Sequence, residues 1–125
     1  MKKIAFLFIA AWAFVFSMAA QANWYEGGTL HEASALEWQQ ATDGNKLATA
    51  GDLFAVLMQN GYITSSITSQ IKGVSDLRRF SQELANQLDD AFQPDPDPEE
   101  NRRLFANQKV NESAVLIMTM MGWID

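Results

Sequence analysis

The sequence predicts a compact all-α domain of five or six helices, and three observations carry that prediction. Apolar residues recur at steps of three to five along most of the chain. Helix start and stop signals bracket those stretches, with glycines at 44, 61 and 122 as the stops. A proline-spaced linker, Pro94, Pro96 and Pro98, then separates the last two helices from those before them.

The domain follows an export signal. Met1-Lys2-Lys3 is a short basic start, Ile4 to Phe16 is an unbroken apolar run of 13 residues, and Ala20-Gln21-Ala22 places small residues at −3 and −1. A membrane span needs about 20 apolar residues, which this run reaches only by including Ser17 and Gln21. The expectation is therefore cleavage before Asn23, a periplasmic or secreted product and no stable membrane anchor afterwards. Residues 1–22 take two lysines with them, so the formal charge passes from −6 for the chain to −8 for the remaining 103 residues. That length suits one domain, residues 23–125, with one modest core. An acidic chain repels phosphate backbones and anionic lipid heads, which argues against nucleic-acid and membrane-surface roles. The absence of cysteine removes disulfides, thiolate metal sites and thiol catalysis.

Asn23 to Gly28 reads as an ordered aromatic arm ending in a turn. Thr29 and Glu32 have capping-box spacing, which predicts a helix over about 30–42, stopped by Asp43-Gly44. Asn45 caps the next helix, with Leu47, Ala50, Phe54, Leu57 and Met58 at helical spacing and Gly61 as the stop. Gly51 inside it marks a close approach between helices. Tyr62 to Ser66 is a connector. From Ile67 to Phe92 the pattern fits one long helix bent at Gly73, or two helices meeting there with Ser75 as cap. Asp97 as N-cap, Pro98 at N1 and Glu100 at N3 start the next helix, running to about Gln108 with Leu104 and Phe105 inward. Asn111 caps the last helix, Glu112 to Met121, and Gly122-Trp123 closes it, folding Trp123 back onto the final turn. No internal repeat is apparent.

Chemistry-bearing residues are sparse. His31 is the sole histidine, and no second ligand stands at a metal-motif spacing from it. It reads as a first-turn histidine that bonds locally or packs against Trp24. Asp95, Asp97 and Glu99 alternate like the start of a calcium loop, but the glycine and the distant bidentate glutamate are missing. Arg79 is placed to pair with Glu83, and Arg102 and Arg103 with Glu99. The helix Ala114–Met121 is apolar nearly all round, which suits a central core helix or a helix with core on one side and a partner on the other. No catalytic residue, metal ligand or cofactor is expected.

Two blocks, Gly27-Gly28-Thr29-Leu30-His31 and Asn45-Lys46-Leu47-Ala48-Thr49-Ala50-Gly51-Asp52, together with the closing Met121-Gly122-Trp123, resemble a family of small, uncharacterised exported bacterial proteins. The resemblance implies export and a helical fold, and lends no activity. Relatives carry a cysteine in the long middle helix and one in the last helix; Leu88 and Ile117 stand at those positions here, which implies an apolar contact in place of a disulfide. The first block has a structural account, a turn with a cap and a packed arm, and a functional one in which Tyr25, Thr29 and His31 rim a small binding site. The expected function is a non-enzymatic protein-interaction domain of inhibitor, immunity or chaperone-like type. Its partner is another protein, and its contact residues come from Trp24, Tyr25, Thr29, His31, Met120 and Trp123. The alternative is a small cell-wall hydrolase using two of Glu26, Glu32 and Glu37 near His31.

Overall fold

The structure, a computed structural model, describes residues 23–125. The expected export signal, residues 1–22, lies outside the described residues. Six helices follow one another among the described residues: α1 Ala35–Gln40, α2 Asp43–Gln59, α3 Ser65–Thr68, α4 Val74–Ala91, α5 Pro98–Phe105 and α6 Val110–Met120. The all-α class is as the sequence predicts. None of these helices is long and apolar enough to cross a membrane.

The first boundary differs from the sequence reading. Residues 29–33 form an extended arm and turn, and α1 starts five residues later on a second capping box, Ser34 with Glu37. Ser34 Oγ accepts the Glu37 N–H while the Glu37 carboxylate accepts the Ser34 N–H. Asp43-Gly44 does not stop a helix but opens α2, whose cap is Thr42: its Oγ1 accepts the Asn45 N–H. Asn45 is thereby freed for another task.

The region 67–92 is two elements, the single turn α3 and the long α4, with Gly73 in the N-cap position in place of Ser75. The proline linker is as expected. Asp97 caps α5 by accepting from the Glu99 N–H, and Pro98 sits at N1 where its missing N–H is harmless. Asp95 serves the same corner, its carboxylate accepting the Asp97 N–H. α5 ends at Phe105, which is buried, whereas Leu104 faces solvent, against expectation.

α2 and α4 make the most extensive helix pair, with α6 packed on both and α1 resting on α5. Trp38, Phe54, Leu84, Leu88, Phe92, Val110, Ala114 and Met118 form the centre of one core. Leu88 on α4 is fully buried, and Ile117 on α6 packs against the same core.

α6 is fixed at both ends by backbone pairing. At its start the cap position is Lys109 rather than Asn111, without a side-chain cap; the Val110 N–H donates to Ala33 O and the Ala35 N–H to Gln108 O. At its end Gly122 adopts φ +77°, the Gly122 and Trp123 N–H groups return to Thr119 O and Met118 O, and the chain turns away. The end of α2 has the same device: Gly61 at φ +79°, with Gly61 and Tyr62 donating to Met58 O and Leu57 O. The two outgoing segments then pair antiparallel at Ile63 and Ile124.

Candidate functional site

The blocks Gly27–His31 and Asn45–Asp52 are partners in space. Asn45, Thr49 and Asp52 lie at i, i+4 and i+7, so they share one face of α2. Three consecutive arm residues dock on them in order. The Thr29 N–H donates to Asn45 Oδ1 at 2.9 Å while Asn45 Nδ2 donates to Thr29 Oγ1 at 2.8 Å. The Leu30 N–H donates to Thr49 Oγ1 at 3.2 Å, and His31 Nε2 meets Asp52 Oδ2 at 2.8 Å. Gly28 allows this approach, because a Cβ there would stand 2.8 Å from the Thr49 backbone nitrogen. Beyond the turn, Trp24 folds over Gly51, where a Cβ would meet its ring at 2.9 Å and Ser81 Oγ of α4 at 3.3 Å. The close approach expected at Gly51 is therefore made by Trp24 together with α4.

The six candidate contact residues fall into two sets. Trp24, Tyr25, Thr29 and His31 belong to the arm. Tyr25 is exposed, edge-on to Trp24, and its hydroxyl donates to Asn23 Oδ1. His31 does not bond locally; its partner, Asp52, is 21 residues away, and both side chains of the pair are about two-fifths exposed (38% and 42%). Trp123, half-buried, packs edge-on against Phe54 and Phe80, which stack on each other, and so helps to close the core. Met120 stands out at 76% exposure.

Met120 belongs to a surface. Val110, Ala114 and Met118 carry the buried side of α6, while Val115, Leu116 and Met120 remain exposed, Leu116 to 60%. Leu116 and Met120 are one turn apart on one face. Exposed Glu112 precedes them by a turn.

Arm residues line two open depressions. One, of about 490 Å³, is lined by Thr29, His31, Glu32, Ala33 and Glu37. The other, of about 540 Å³, includes Trp24, Glu26, Leu47 and Arg78. Glu26 thus lines a different depression from Glu32 and Glu37, and Glu37 already serves the α1 cap. No three His, Asp or Glu side chains converge to hold a metal ion among the described residues. The displaced titration of Glu100 belongs to the surface of α5: its hydrogen bond with Arg103 holds the carboxyl below the usual carboxylate range and pushes the guanidinium up. That pair replaces the expected Glu99 pairing, and Arg79 lies over Phe80 and reaches Gln70 instead of Glu83.

Two polar junctions escaped the sequence reading. Asp89 accepts from both Trp38 Nε1 and Lys46 Nζ at 2.9 Å, with Lys46 over the Trp38 ring. Gln39 and Asn101 exchange reciprocal amide bonds, and Gln39 also donates to Phe92 O, tying the linker to α1. Both join residues more than 40 positions apart, and no local signal marks them. Comparison with protein-family models, curated proteins and solved structures finds no match to the chain.

Proposed function

We propose that the protein is an exported, non-enzymatic interaction module, periplasmic or secreted, that binds another protein through the outer face of α6. The observation that carries the reading is the solvent-exposed apolar row Val115, Leu116 and Met120 on a helix whose opposite side is fully buried. Contiguous exposed apolar surface marks interaction sites, and methionine adapts to varied partners. Exposed Glu112, one turn before Leu116 on a chain of net charge −6, favours a partner whose apolar contact is rimmed by basic groups. Inhibitor, immunity and chaperone-like roles all use such a face. The arm residues Trp24, Thr29 and His31 enter this reading as the structure that holds the domain together.

The test places a photo-crosslinking residue at position 116 or 120 of the full chain in its host, with position 99 as control. One protein captured at 116 and 120 but not at 99, and bound at least about tenfold more weakly by Leu116→Asp and Met120→Asp variants of unchanged melting temperature, is the expected result. Equal capture at all three positions removes the reading. A second reading, the carboxylate-dependent cell-wall hydrolase, draws on the depression that His31, Glu32 and Glu37 share. Fragment release from purified cell wall that is lost in Glu32→Gln and kept in Met120→Asp is the result that would put it first.

A further inference from the structure

The larger depression beside the arm plays no part in that reading. The Trp24 ring and Leu47 give it apolar walls. Of its polar groups, Thr42 already accepts the Asn45 N–H, and the Asn45 side chain is taken up by Thr29 and Thr49. Two charged side chains remain, Glu26 from the arm and Arg78 from α4. They have opposite signs and line the same depression, yet neither forms an ion pair among the described residues.

Opposite charges that flank an apolar wall without closing on each other suit a ligand that carries one of each. An ammonium is attracted to the face of an indole and to a carboxylate, which Trp24 and Glu26 supply. A carboxylate is matched by the forked donors of a guanidinium, which Arg78 supplies. The volume, about 540 Å³, lies within the range of small-molecule sites. Glu26 opposes a dianion such as a phosphate monoester in the same space. We propose that this depression binds a small zwitterion, an amino acid or short peptide with both ends free, its ammonium against Trp24 and Glu26 and its carboxylate on Arg78.

The test titrates the ¹⁵N-labelled full chain with L-alanyl-L-alanine and follows the Trp24 indole N–H, assigned by Trp24→Phe or, should that variant not fold, by through-space contact with the Tyr25 ring. The expected result is a saturable shift. N-acetyl-alanyl-alanine and alanyl-alanine amide, each lacking one charge, bind at least about tenfold more weakly, as do Glu26→Gln and Arg78→Gln with the free dipeptide. The amide is also indifferent to Arg78→Gln, because it has no carboxylate to lose. No saturable shift, equal affinity for the capped peptides, or full affinity in both variants overturns the proposal. Met120→Asp leaves the titration unchanged, which separates this site from the α6 face.

Discussion

Gly28 and Gly51 set how closely the arm lies on α2, and they do so against different neighbours. A Cβ at Gly28 would meet backbone, the Thr49 nitrogen at 2.8 Å and Thr49 Cα at 3.0 Å, and no rotamer change relieves that. Gly28→Ala is expected to lift the arm and destabilise the protein by about 1–3 kcal/mol, the range of overpacking. At Gly51 the nearest atom belongs to the half-buried Trp24 side chain, and alanine recovers about 1 kcal/mol of helix propensity over glycine. Urea unfolding should therefore rank Gly28→Ala below Gly51→Ala in stability; the reverse order would show that Trp24, not the Thr29–His31 seam, fixes the arm. Within the seam Asn45 is the heavier residue. It makes three bonds where His31 makes one half-exposed one, so Asn45→Ala is expected to cost more than the roughly 1 kcal/mol ceiling of His31→Ala. The sequence blocks singled out these residues but assigned Thr29 and Asn45 as separate caps. Their actual partnership spans 16 positions and depends on how α2 is laid against the arm, which no local spacing encodes.

Helix starts divide into those set by neighbouring residues and those set by distant ones. Asp97-Pro98 was legible because proline fixes its own φ and excludes the alternatives; Asp97→Ala should lower stability by about 0.5–2 kcal/mol, read by thermal or urea unfolding. Two capping boxes stand one after the other near the first helix, Thr29 with Glu32 and Ser34 with Glu37, and both satisfy the spacing rule equally. The second wins because Thr29 is drawn off by Asn45 and because the Ala35 N–H gains Gln108 O. The start of α6 was illegible for the same reason, since its first donor is satisfied by Ala33, 77 residues earlier. On α5 the Glu100–Arg103 pair gives a pH signature. Glu100 titrates below its ordinary value of 4.5 in the folded protein, so its contribution is present above that value and is lost as pH falls through the lowered one. The stability difference between the protein and Glu100→Gln should be constant at neutral pH and shrink only in that acid window; a difference that grows on acidification would contradict the pairing.

Across the whole molecule, α6 is held like a rung between two backbone bridges, Ser34 with Lys109 and Ile63 with Ile124. The far bridge is prepared by a repeated local pattern, Gly61-Tyr62-Ile63 and Gly122-Trp123-Ile124, in which each glycine ends a helix at positive φ and each isoleucine pairs. The pattern is visible in the sequence once the two helix ends are known to meet, but three residues are too short to stand out as a repeat beforehand. Trp123 sits inside this closure, edge-on to Phe54 of α2 and Phe80 of α4, so it joins those two helices to the bridge. Trp123→Ala is accordingly expected to destabilise the protein by an amount near the lower end of the ~3–5 kcal/mol range for aromatic truncation, since the ring is half-buried. Met120, three residues earlier and 76% exposed, is expected to change stability by no more than about 0.5 kcal/mol when truncated to alanine. The contrast decides how partner binding at this end must be read. Loss of a partner in Trp123→Ala alone follows from a loosened closure and locates no contact, whereas loss in Met120→Ala with an unchanged unfolding midpoint places the contact on the outer face of α6. If both variants kept the partner while Leu116→Asp lost it, the contact would centre one turn earlier, on the Glu112 side of the row.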